Sequence, residues 1–215
     1  MTSEAIDIAL FPIPNCVTFP GRPFPLHVFE PRYRRMVEHC TETGMPMAIC
    51  HTTGLVSPAK SGQSVDEAMN SNQATYKPCN VFSAGRCELL GMLPDGRSMI
   101  HVHLAHRYQA IEIRQTLPFS IWSCQLYEDM PLSNADREEL PQLREKVTHR
   151  LLALTASDED AHEILLSPEW QALDDRAFSL RLFSLVQLEA DLQQHLLESR
   201  SPLERLDILL SVMNS

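Results

Sequence analysis

The chain has 215 residues, 44% of them hydrophobic, and a formal net charge of -10, which is enough apolar material for a sizeable core in one or two domains. No apolar run reaches the roughly 18 residues of a membrane span and no basic segment followed by an apolar one opens the chain, so the expected compartment is the cytoplasm, with no membrane partner. Residues 1–127 carry ten acidic and ten basic side chains and residues 128–215 carry eighteen and eight, so the net charge belongs to the second half. Nucleic-acid binding, which draws on basic groups set against phosphates, is disfavoured by that distribution.

In chain order, the patterning predicts strands over 6–11, 16–19 and 24–29. Pro20-Gly21 forms a turn before the third of these, where Phe24, Leu26, Val28 and Phe29 read as mostly alternating. Glu30-Pro31 ends that strand and presets a helix over 31–42, with Tyr33, Met36, Val37 and Cys40 as its apolar stripe and Arg32, Arg34, Arg35 and Glu38 mostly around it. Phe19, Gly21, Phe29, Pro31 and Tyr33 each have a sufficient structural role and are expected to maintain the fold and not to contact a ligand. Further strands are predicted over 45–51, 81–92, 98–113 and 121–127. Between 52 and 77 lies the longest irregular stretch, rich in Ser, Gly, Asn and Gln. Ile100, Val102 and Leu104 have one parity and Ile111 and Ile113 the other, so a one-residue bulge between Ala105 and Gln109 is expected to bury both sets and re-aim Arg107 and Tyr108.

Near residue 130 the period changes from 2 to 3.6. A helix over 138–154 has Leu140, Leu143, Val147, Leu151 and Leu154 on one face. Ser167-Pro168 and Ser201-Pro202 pair a Ser cap with Pro in the first helical position, and four or five helices are expected. The division is placed at 1–128, a folded sheet or small barrel crossed by one helix, and 129–215, a helical bundle.

Several of these segments together resemble a known family. Phe19-Pro20-Gly21, Pro25-Leu26-His27-Val28-Phe29-Glu30-Pro31-Arg32-Tyr33, the hairpin Leu93-Pro94-Asp95-Gly96-Arg97, the pair Arg107-Tyr108 and the closing stretches Gln194–Glu198 and Arg205–Leu210 are similar to the N-terminal substrate-binding domain of Lon proteases, in its short stand-alone form. The resemblance runs from about Ile8 to Met213. It implies an α+β fold: a PUA-like, partly closed antiparallel β-barrel with one crossing helix, followed by a C-terminal helical bundle. It also implies a non-catalytic module that binds polypeptide. A glycine common just before the Arg-aromatic pair is missing, with Leu104 and Ala105 in that region.

Catalytic signatures weigh little beside this. His101 and His103 share a strand face, and His106 could join them through the bulge, but no carboxylate or cysteine at a recognisable spacing completes a metal site. Ser57-Pro58-Ala59-Lys60 has the Ser-x-x-Lys spacing without its companion motifs. Cys50 and His51 are adjacent and on a strand would face opposite ways. The six cysteines form no Cys-x-x-Cys pair and read as buried free thiols. No Gly-Lys dipeptide occurs and the lysines are Lys60, Lys77 and Lys146, so neither a phosphate loop nor a Ser-Lys peptidase site is expected, nor any cofactor.

Three functions remain at this stage: a polypeptide-binding module, an RNA-binding PUA-like protein, and a small-molecule enzyme using His101, His103 and His106. The first is favoured, with unfolded or exposed apolar polypeptide segments as partners and a separate protease as a collaborator. Leu55, Val56, Met69 and Tyr76, apolar points in the 52–77 stretch, are the expected contacts. Oligomeric state stays open.

Overall fold

The strand Ile6–Pro12 (β1) is buried through its centre on both faces, Ile8 and Leu10 pointing to one cluster of core side chains and Ala9 to the other, which is why it reads as an unbroken apolar run. The computed structural model describes residues 4–59, 62, 64, 67 and 71–214. These divide into two units: Met1–Tyr127 with Glu189–Gln194, and Glu128–Leu188 with His195–Ser215.

In the first unit β1 is followed by β2 (Pro23–Val28), α1 (Pro31–Thr43), β3 (Met47–Cys50), β4 (Thr52–Ser57), β5 (Thr75–Pro78), β6 (Val81–Met92), β7 (Ser98–Gln115) and β8 (Ser120–Leu126). Six strands pair in the order β2-β7-β6-β3-β1-β8, and β7 also pairs with β8, so five of them close into a ring. The partly closed antiparallel arrangement expected is thus present as a ring whose one parallel pair is β1 with β3. The long connection through β2 and α1 lets the chain return in the same direction. Helix α1 buries the expected stripe of Tyr33, Met36, Val37 and Cys40 and stops at Gly44, whose φ of 76° lets its N–H return to the Cys40 carbonyl.

Residues 16–19 are not a strand. Their backbone is held by side chains, Thr18 Oγ1 donating to the Ile49 carbonyl and Ser83 Oγ to the Thr18 carbonyl. The 52–77 stretch is likewise not irregular throughout. Its ends pair as the two-stranded β4–β5 sheet, with Leu55 opposite Tyr76. Nearly all of β4 is exposed, so no alternation announced it.

The bulge is at Ala105, which is left between the pairs Gly85–Leu104 and Ala84–His106. Ile100, Val102 and Leu104 are buried before it and Arg107 after it, so the inward parity does switch. Ile111 and Ile113, however, remain 52% exposed each. Two further register shifts against β8, between Ala110 and Glu112 and between Ile113 and Gln115, undo the simple parity beyond Ala110. A side chain on Gly85 is excluded, because a Cβ there would lie 1.7 Å from the His103 carbonyl oxygen.

The second unit starts with α2 (Asn134–Leu154), whose Ser133 and Asp136 form a capping box. Leu140, Leu143, Val147 and Leu151 are buried as the periodicity required, but Leu154, in the last turn, is exposed. Then come α3 (Glu159–Leu166), α4 (Pro168–Gln171), α5 (Asp175–Arg181), a 3₁₀ turn at Leu182–Ser184, α6 (Ala190–Glu198), whose residues up to Gln194 are counted with the first unit, and α7 (Pro202–Asn214). Counted over the described residues this is six α-helices where four or five were expected, because α4 is a single turn. Asp158, Ser167 and Asp174 accept from Ala161, Trp170 and Ala177 and cap α3, α4 and α5. Arg205 is fully buried and forks onto Asp129 at 2.8 and 2.7 Å, while also donating to Ser179 Oγ and the Ser199 carbonyl. Among the described residues no helix is long and apolar enough to cross a membrane.

Gly85→Ala is expected to cost about 3 kcal/mol, since the obstructing atom is backbone and cannot rotate away; the midpoint of urea unfolding measures it. Asp129→Ala is expected to cost about 3–5 kcal/mol by stranding the buried Arg205 cation, read in the same way.

Candidate polypeptide-binding groove

Where β1 and β2 end and α1 begins, the first unit has an open groove of about 460 Å³. Phe11 and Tyr33 stack within it, centroids 4.0 Å apart and planes 16° from parallel, and burial pushes the Tyr33 hydroxyl up to about 12, so it stays protonated. Leu26 and Ile13 continue the apolar lining, and Tyr76 of β5 joins it with Gln73 and Ala74.

Phe29 lies at the rim. The sequence makes it a core residue closing a strand, but β2 stops at Val28 and Phe29 is 37% exposed in the groove. Alternation accounts for it: Val28 is buried, so Phe29 falls on the opposite face, and Glu30, ahead of Pro31, is extended at φ -65° and ψ 134° where the chain enters α1. Tyr33 is buried, Phe19 is half-buried and Gly21, at φ 110°, donates its N–H to the Leu104 carbonyl.

Glu30 and Arg32 form a part of the site for which the sequence offered only the end of a strand at Glu30 and a place beside a helical stripe for Arg32. Their ion pair is 2.9 Å long with both side chains mostly covered. Arg32 donates Nη1 to Thr75 Oγ1 at 2.8 Å, Nη2 to the Ala74 carbonyl at 2.7 Å and its backbone N–H to Asn72 Oδ1 at 3.1 Å. Glu30 accepts the Gln73 N–H at 2.9 Å. The only hint was the local pattern Glu-Pro-Arg, which fixes both side chains at the start of a helix.

Of the four contacts expected from the sequence, Tyr76 lines this groove. Leu55, its cross-strand partner, and Val56 are 57% and 64% exposed on β4; they do not line the groove itself. Met69 lies outside the described residues. A second groove of about 520 Å³, between α1 and the β6–β7 hairpin, is bordered by Arg34, Arg35, Glu38 and Glu42 as well as Leu89 and Met92, a mixed lining less suited to an apolar guest.

The other candidates stay apart. His101 and His103 share a face, rings 6.4 Å apart, but His103 is hydrogen-bonded to Glu88, whose carboxyl is held below its usual range chiefly by that bond. His106, beyond the bulge, sits edge-on to Tyr108. Among the described residues no group of three or more His, Cys, Asp or Glu could hold a metal ion. Cys50 is fully buried and its thiol is pushed well above its ordinary value by desolvation, which disarms it as a nucleophile. His51 turns Nε2 toward Asp191, 3.6 Å away. Burial also raises Cys16 and Cys87 to about 11 and Cys40 and Cys124 to about 12. Lys60 of the Ser-x-x-Lys spacing lies outside the described residues. Arg107 is buried with its guanidinium 5.3 Å from the Tyr127 ring centre.

This α+β architecture, a strand ring crossed by one helix and followed by helices, is that of Lon N-terminal domains. The chain belongs to the family of the ATP-dependent protease La (LON) substrate-binding domain, matched over residues 7–215. Similar solved structures include the N-terminal domain of a Mycobacterium avium complex Lon protease, at TM-score 0.68 and 13% identity over 97% of this chain and 98% of that one. A Lon N-terminal domain protein from Xanthomonas campestris is similar at TM-score 0.59 and 19% identity, over 95% and 97%. At such identities the likeness is one of fold.

Phe29→Ala is expected to cost about 1 kcal/mol, the scale of a partly exposed position, not the 3–5 of a buried phenylalanine. A thermal melt measures it; a loss of the larger size would return Phe29 to the core.

Proposed function

We propose that this protein holds extended apolar segments of other polypeptides in the groove between β1, β2, α1 and β5, without cutting them. The observation that carries the reading is a rim phenylalanine, Phe29, left partly exposed beside Tyr76 over a stacked Phe11–Tyr33 pair, in a chain of the substrate-binding domain family. Such a lining offers contact area from rigid aromatic rings and few charges to desolvate. Leu55 and Val56, exposed on the neighbouring β4, extend the apolar surface available to a guest longer than the groove.

In this reading any protease that degrades the guest is a separate protein, and the protein works in the cytoplasm, where thiols like its six free cysteines stay reduced. No observation favours the RNA reading over this one. Nor does one favour the enzyme reading: His103 pairs with Glu88, and His106 stands beyond the bulge against Tyr108.

Binding of a fluorescein-labelled, permanently unfolded polypeptide, followed by anisotropy, tests the proposal. Replacing Leu55, Val56 and Tyr76 together by Ser is expected to weaken it at least tenfold, with affinity nearly equal at 50 and 200 mM salt. A fall of several decades across that salt range would point to phosphate recognition instead. Casein with saturating ATP is expected to show no turnover above a blank, and cleavage abolished by a point substitution in this chain would contradict the non-catalytic reading.

A further inference from the structure

One wall of the groove is held in place by a charge pair. Residues 72–75 are each hydrogen-bonded to the Glu-Pro-Arg start of α1: Asn72 Oδ1 accepts from the Arg32 N–H, the Gln73 N–H donates to Glu30, and the Ala74 carbonyl and Thr75 Oγ1 accept from the two ends of the Arg32 guanidinium. The same guanidinium lies 4.6 Å from the centre of the Tyr33 ring, so one side chain touches both the aromatic floor and the far wall. The side chains of Arg32 and Glu30 are 11% and 13% exposed, and a covered pair is screened by salt far less than a surface one. Arginine suits this place because its planar fork reaches two acceptors at once, which a lysine ammonium cannot do in that geometry.

We propose that Glu30 and Arg32 are positioning residues for the guest: they latch residues 72–75 to α1 and so set the width of the groove. This rests on the polypeptide-binding reading and names what controls that site. With the latch made, Gln73, Ala74 and Tyr76 stand ready on the wall, and a guest need not order them on arrival. With it broken, the competent arrangement is only a fraction of the population, and the apparent affinity falls by that fraction.

The test uses the full chain and fluorescein-labelled, reduced and carboxymethylated lactalbumin, with anisotropy for affinity and amide exchange for the wall. Arg32→Gln and Arg32→Lys are each expected to weaken binding about tenfold and to speed exchange over 72–78, while amides of α1 keep their protection. Thr75→Val, which removes one end of the latch, is expected to weaken binding less, and combined with Arg32→Gln to add almost nothing, as residues acting through one contact do. Tyr76→Ser serves as the control for the groove itself. Faster wall exchange with unchanged affinity, while Tyr76→Ser still weakens binding, would overturn the latch and leave the binding reading standing. Unchanged affinity in both Tyr76→Ser and Arg32→Gln would sink the reading. Should Arg32→Gln unfold α1, Thr75→Val decides: no effect on affinity, or full additivity measured through Arg32→Lys, would overturn the proposal.

Discussion

The first unit depends on one close approach of two backbones. At the Ala105 bulge β7 comes so near β6 that only a residue without a Cβ can stand at position 85. The bulge switches which parity of β7 faces inward and lets one 18-residue strand pair with β2 and β6 along its first part and with β8 along its second. Without that bend a strand of such length would stay in one sheet, and the ring β7-β6-β3-β1-β8 could not close. The glycine that Lon-like sequences often place before the Arg-aromatic pair is absent here, and the close approach is met from the opposite strand by Gly85.

The groove follows from that closure. Pairing β1 with β8 on one side and with β3 on the other fixes where β1 ends, and pairing β2 with β7 fixes where α1 starts. Phe11 and Tyr33 meet in a stack because both ends arrive at one place. Phe29 follows the buried Val28 on the alternate face, so an aromatic ring is left at the rim. The second unit reaches its own rigidity by a different route, a buried arginine forked onto Asp129 and joined to two serines. A pair so placed is costly to break and ties α5, α7 and the segment before α2 to one another.

Much of this was legible in residue patterns, and the omissions have physical reasons. The stripe of α1 and the Ser167 and Ser201 caps of α4 and α7 follow local rules, helix period and side-chain capping, that need no knowledge of the rest of the chain. β4 escaped because a strand exposed on both faces has no alternation to read. Residues 16–19 were taken for a strand on apolar content alone, when Thr18 and Ser83 supply side-chain bonds in place of a ladder. Ile111 and Ile113 were assigned inward because one bulge was assumed where β7 has further register shifts. Tyr76 was picked for the site as an apolar point in a long loop, and it does line the groove. Phe29, Glu30 and Arg32 were given structural roles, because exposure of a phenylalanine and the reach of a guanidinium to residues forty positions away are set by tertiary arrangement.

The central claim is that one apolar groove among several exposed apolar positions takes the guest. Site-specific photocrosslinking tests it most directly, with benzoylphenylalanine placed in turn at positions 29, 76, 113 and 154 and an unfolded polypeptide as guest. The account predicts crosslinks from 29 and 76 at guest concentrations where 113 and 154, also carrying exposed apolar side chains, yield none. Equal yields from all four positions would mean indiscriminate hydrophobic adhesion and would contradict it.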